Sequence, residues 1–262
     1  QKKFLTKGIG KLLNGAIGGF LADGIIAVAG AAKENLTETG INPKKAEIIY
    51  NGVDALTELN SEEKLEFRHK LGINDDELVV AIIARLELVK GHEYFIDAAE
   101  IVKNAGIKAR FVIAGTGSRM DALKEYTKNK NLENTVLFTG FLTDVSKLEN
   151  IMDIQVNASF GTEAASLSLL EGMSIGKPAV VSDFGGNPEL ITNDLNGYVV
   201  PKQNAKALAD KIILLLRDNA LREKISKQSV EVFNTRFTSK IMTENMERFY
   251  KKVCGVVTNE QA

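Results

Sequence analysis

The chain lacks tryptophan and is poor in cysteine, the residue whose disulfides staple small secreted folds: its 262 residues include only Cys254. A single thiol forbids an internal disulfide and favours a reducing, cytoplasmic setting. With that thiol, only two histidines, His69 and His92, are available, too few for an ordinary zinc site. Neither sign of charge dominates, since 33 basic residues face 34 acidic ones. There is also no long basic block, so composition excludes the electrostatic footprint of a nucleic-acid partner. An Asp-x-Asp metal pair and a Gly-x-Ser-x-Gly elbow are both missing. Near the N-terminus an apolar, glycine-rich run is broken by Lys11, Asn14 and Asp23, which argues against a spanning helix. It also shows no clear signal-peptide cleavage site. Lys2, Lys3, Lys7 and Lys11 leave peripheral contact with the inner face of a membrane as an option, but a plain helix and a buried strand form the simpler reading.

What is present is a soluble, core-forming composition, 44% hydrophobic and 26% charged, with enough chain for one large or two ordinary domains. Short apolar runs at Glu47–Tyr50, Leu78–Ala84, Arg110–Ala114, Thr135–Thr139, Ile154–Ala158, Ala179–Ser182 and Tyr198–Val200 read as strands. Several are continuous rather than alternating, as in strands buried on both faces. Amphipathic stretches such as Glu93–Asn104, Met120–Lys128 and Ala205–Arg217 separate them. This alternation predicts an α/β fold, a doubly wound parallel sheet with helices on both faces. Residues 1–45 read as helix, strand (Gly24–Val28) and helix (Ala31–Glu38). A final helix covers Thr238–Val253.

Ligands of such sheets bind beyond the carboxyl ends of the strands. After the strand at Leu78–Ala84 come Arg85 and Lys90-Gly91, two cations before a helix start, an arrangement suited to a diphosphate, although strand-end cations are often merely solvated. After Ile154–Ala158, Glu163 falls in a loop followed by the small residues Ala164-Ala165-Ser166, and Glu171 falls inside the next helix. A carboxylate in so apolar a helix needs a donor, and sugar or ribose hydroxyls qualify; a solvent-facing Glu171 is the plainer alternative. Gly185-Gly186-Asn187-Pro188-Glu189 permits a tight bend beside a ligand or a simple turn. Gly115-Thr116-Gly117 lacks the third glycine of a dinucleotide fingerprint. Gly172–Pro178 is one residue short of a phosphate loop and ends in proline.

Taken in order and spacing, Asn51-Gly52-Val53-Asp54, Arg85 with Lys90-Gly91, Glu163-x7-Glu171 and Gly185-Gly186-Asn187-Pro188-Glu189 resemble the family-4 retaining glycosyltransferases, over residues 20–253. The resemblance implies the C-terminal, donor-binding half of a GT-B fold: residues 46–236 as the nucleotide-sugar domain, 1–45 as a remnant of the acceptor domain with its linker, and 237–262 as a closing helix and tail. It implies a metal-independent transfer, with retention, from a nucleotide-diphosphate sugar, a UDP-sugar favoured, to a saccharide or lipid-linked glycan, as in polysaccharide assembly. No cofactor is expected. Glu163 would contact the transferred sugar, Arg85 and Lys90 the diphosphate, backbone N–H groups at Ser166 and Leu167 the phosphates, Phe141 and Leu142 the base, and Glu171 the ribose. The family places glycine, an aromatic and glycine or proline where this chain has Ala164-Ala165-Ser166, so the wall of the sugar pocket differs. The chain is expected to act as a fragment with donor binding only. A non-catalytic nucleotide-sugar-binding module is the alternative, and a phosphorylase or epimerase of the same fold is a third reading.

Overall fold

The computed structural model describes residues 9–255; Lys2, Lys3, Lys7 and the tail beyond Gly255 lie outside them. The chain opens with α1 (Ile9–Phe20), β1 (Ile25–Ala27), α2 (Gly30–Glu38) and β2 (Ala46–Ile48). The main body follows as α3 (Ser61–Lys70), β3 (Leu78–Ile83), α4 (His92–Asn104), β4 (Ala109–Ala114), α5 (Met120–Asn129), β5 (Val136–Gly140), α6 (Ser146–Ile151), β6 (Ile154–Asn157), α7 (Leu167–Ser174), β7 (Ala179–Ser182), α8 (Asn187–Leu190), β8 (Gly197–Val200), α9 (Ala205–Arg217) and α10 (Asn219–Arg236). Helix α11 (Ser239–Val253) closes it.

Strands β3 to β8 form one parallel sheet in the order β5-β4-β3-β6-β7-β8. The order reverses between β3 and β6, which opens a crevice at their carboxyl ends. The strand expected at Glu47–Tyr50 as part of the same alternation is β2, Ala46–Ile48, and pairs instead in parallel with β1 in a separate two-stranded sheet.

The continuous apolar runs have the predicted cause. In β3, Val80 and Ile82 face one layer, where they pack with Phe95, Phe111 and Ile212. Val79 and Ala81 face the other, with Phe67, Leu148 and Ile151. Both faces are dry, so neither parity of the strand can be polar. Phe95 and Phe111 meet edge to face at 5.2 Å, joining α4 to β4. Beneath β7, Leu169, Leu170, Met173, Phe233 and Phe237 form a third cluster that seats α7 against α10.

Several helix starts follow local rules. Asn60 and Glu63 form a reciprocal capping box for α3, and Asn204, Asp218 and Thr238 cap α9, α10 and α11. Helix α7 departs from this, because Ser166 at its N-cap position makes no side-chain cap.

The first elements are tied to the body at two places. The Glu189 carboxylate, on α8, accepts from Gly30 N at 2.7 Å and Ala31 N at 3.2 Å, capping α2 from a distance. At the other place, Val53 N donates to Phe237 O at 3.1 Å and Ser239 N to Val53 O at 3.0 Å, so two passes of the chain run side by side. Helix α11 then returns to the first elements, with Phe249 against Gly24 and a Lys252–Glu47 ion pair at 2.7 Å. No helix among the described residues is long and apolar enough to cross a membrane.

Candidate functional site

The crevice between β3 and β6 contains a cavity of about 440 Å³. Arg85, Lys90, Asn157, Glu163, Ser166 and Leu167 are among its lining residues. Each arrives for a local reason. Arg85 is exposed two residues beyond the last ladder position of β3. Lys90 closes a one-turn helix that ends on Gly91 at φ +74°. A Cβ on Gly91 would lie 2.1 Å from Ala158 O, so glycine lets the β3 loop approach the β6 loop.

Glu163 is the best-anchored carboxylate of the site. Its Oε2 accepts from Lys90 Nζ at 2.8 Å, Ser159 Oγ at 3.0 Å and Asn157 Nδ2 at 3.2 Å. The pair is largely dry, with side-chain exposures of 13% for Lys90 and 8% for Glu163. Gly185, at φ +60°, leaves the backbone of Glu163 its space, since a Cβ there would stand 1.8 Å from Glu163 O. Across the loop, Ala31, Ala32, Thr162, Glu163, Ala164 and Phe184 help to line a second cavity of about 230 Å³. Glu163 therefore borders both spaces, and α2 supplies one wall of the smaller.

The uncapped start of α7 opens on the larger cavity at Ser166, Leu167 and Ser168. Its free N–H groups and dipole favour an anion. Glu171 lies one turn further along α7, half-buried, and is not among the residues lining the cavity. Phe141 stands 73% exposed and Leu142 packs beside the Phe67 cluster; neither lines the cavity. The structure thus gathers Arg85, Lys90, Glu163, Ser166 and Leu167 in one space and leaves Glu171, Phe141 and Leu142 at its margin.

Asn157 and Ser159 were not singled out from sequence. The available signal was Asn157 at the carboxyl end of β6, where ligands of such sheets bind. His92, at the start of α4, is fully buried with neither ring nitrogen hydrogen-bonded. Burial, with Lys90 nearby, pushes its pKa down to about 4, so it stays neutral. Glu149, on α6, is fully buried, and burial next to the Glu171 carboxylate pushes it up to about 9.

Comparison with known proteins agrees with this geometry. The chain is 33% identical over 207 residues to an uncharacterized glycosyltransferase of Methanocaldococcus jannaschii, covering 77% of this chain and 53% of that protein. It is 32% identical over 227 residues to the N,N'-diacetylbacillosaminyl-diphospho-undecaprenol alpha-1,3-N-acetylgalactosaminyltransferase of Campylobacter jejuni, covering 84% and 56%. It thus spans about half the length of the curated relatives it matches. The fold superposes with a TM-score of 0.83 on HepE of Anabaena, solved with UDP-glucose, at 22% identity, covering 95% of this chain and 69% of that one. The model of the family described as glycosyl transferases group 1 matches residues 63–232, which include the sheet, the crevice and both glutamates, and the chain belongs to that family.

Proposed function

We propose that the chain holds a nucleotide-diphosphate sugar, a UDP-sugar by preference, in the crevice between β3 and β6, as the donor half of a retaining glycosyltransferase. The observation that carries this reading is the convergence of Arg85, Lys90 and the uncapped start of α7 on one cavity that Glu163 borders. Two cations and a helix N-terminus match a diphosphate and would stabilise the charge it gains as it leaves, without calling on a metal or other cofactor. In this arrangement Lys90 turns from Glu163 toward the phosphates as the donor enters. Glu163 is then free to accept hydroxyls of the transferred sugar, and Glu171 to accept those of the ribose. The UDP-glucose complex of HepE supports the choice of base.

The acceptor we propose is a saccharide or lipid-linked glycan, and the name of the Campylobacter relative supports the lipid-linked class. Such an acceptor would give the exposed apolar side of α1 (Leu13, Ile17, Phe20) and Lys11 a use at a membrane surface. Co-sedimentation with anionic vesicles tests this, and an unchanged bound fraction for Ile17→Glu would remove it.

Calorimetric titration with UDP, GDP and ADP tests the donor site. UDP is expected to saturate one site. Arg85→Ala should weaken it about tenfold or more, the loss of one hydrogen bond to a charged group. Equal binding of all three nucleotides, or indifference to Arg85, would refute the reading.

A further inference from the structure

Glu149 is an acidic side chain that this donor reading leaves unused. It lies on α6 between core residues Leu148 and Ile151, fully buried, and neither carboxyl oxygen meets a donor among the described residues. Two helices pack on α6. From α7 comes Glu171, whose negative charge acts on Glu149. From α3 comes Lys64, which with Glu58 and Asp153 acts on Lys177. Lys177 is the cation nearest in effect to Glu149, and its Nζ donates to Asn150 O at 3.0 Å. Asp153 in turn accepts from Val79 N at 2.7 Å.

A bare carboxylate in that place would be uncompensated, and two facing carboxylates would repel. The arrangement becomes favourable when one proton lies between them, as a carboxylic O–H donating to a carboxylate. Glu149 is the drier of the two and therefore the one to keep it. We propose that Glu149 is a positioning residue that retains a proton and donates a hydrogen bond through it to Glu171, fixing the orientation of the carboxylate that the donor reading assigns to the ribose. The proposal rests on the donor reading given above. Burial and the Glu171 charge raise Glu149 to about 9, so the proton stays through the neutral range and leaves in mildly alkaline solution. Glu171 then loses its partner and gains a like charge beside it, and donor affinity falls.

Two measurements on the full chain separate this inference from the reading beneath it. Carbon-detected NMR of the glutamate carboxyls, without nucleotide, should show Glu149 titrating near 9 and shifting downward in Glu171→Gln. Titration in the ordinary carboxylate range, or indifference to Glu171→Gln, would overturn the shared proton. UDP calorimetry from pH 7 to 10 then tests positioning. Glu149→Leu, which fills the space and cannot donate, should weaken binding about tenfold at pH 7. Glu149→Gln, which keeps a donor, should restore most of that affinity and show less alkaline loss than the wild type; proton loss from uracil is common to both. A Leu variant that binds as well as the wild type assigns Glu149 a packing role and overturns the proposal. An NMR-confirmed pair in a chain that binds no UDP refutes the donor reading, and with it the ribose role of Glu171.

Discussion

Replacing Lys90 by methionine isolates the central ion pair. The substitution keeps the aliphatic stem but removes the cation from a carboxylate that is only 8% exposed. Stranding a buried charge in this way costs about 3–5 kcal/mol in general. Here the cost should fall near or below the lower end, at about 2–3 kcal/mol, because Asn157 and Ser159 still donate to the same oxygen. For a chain of this size each kcal/mol moves the melting temperature by about 2–4 °C, so a drop of about 4–12 °C is expected by calorimetric scanning. The double variant Lys90→Met with Glu163→Gln should recover most of it, since an amide needs no cation. Both variants should bind UDP more weakly than the wild type. An unchanged melting temperature for Lys90→Met, or a double variant as unstable as the single one, would refute the claim that this pair is dry and mutually dependent.

Acid stability offers a second check. The folded-state pKa of His92 lies below its unfolded value of 6.5, so its contribution is present above pH 6.5 and is lost as pH falls toward 4. His92→Met should flatten about 2–3 kcal/mol of that decline, read by urea unfolding across the window. Gly185→Ala forces a side chain into φ +60° and onto Glu163 O, and should lower both melting temperature and UDP affinity; an unaltered affinity would detach this bend from the site. Glu189→Gln should cost about 1–2 kcal/mol by weakening the remote cap of α2, with hydrogen exchange at Gly30 and Ala31 rising first.

The sheet was legible because burial on both faces leaves a simple trace: β3 is apolar throughout, β4 from Phe111 to Ala114 and β7 from Ala179 to Val181, while β6 buries Gln155 and Asn157 among its apolar residues. Helix α10, 18 residues long, left no such trace. Its buried positions, Ile225, Ser229 and Phe233, form a stripe one residue wide, and the middle one is polar. The pairing of β2 was equally hidden, since a three-residue strand does not reveal its partner. Arg85, Lys90 and Glu163 could be found because charges at the ends of apolar strands are conspicuous. Glu149 could not, because only the packing of α6 against α3 and α7 buries it.

The side-by-side passes at Val53 and Thr238 carry a mechanical consequence. A single connecting strand would act as a swivel, free to twist about its own axis. Two parallel crossings, laced by the Val53–Phe237 and Ser239–Val53 hydrogen bonds, resist torsion and leave bending as the easy motion. The elements before residue 49 and helix α11 should therefore tilt together, as a door with two knuckles does. Because α2 forms one wall of the smaller cavity, that tilt would change the cavity's width while leaving the diphosphate end of the crevice untouched.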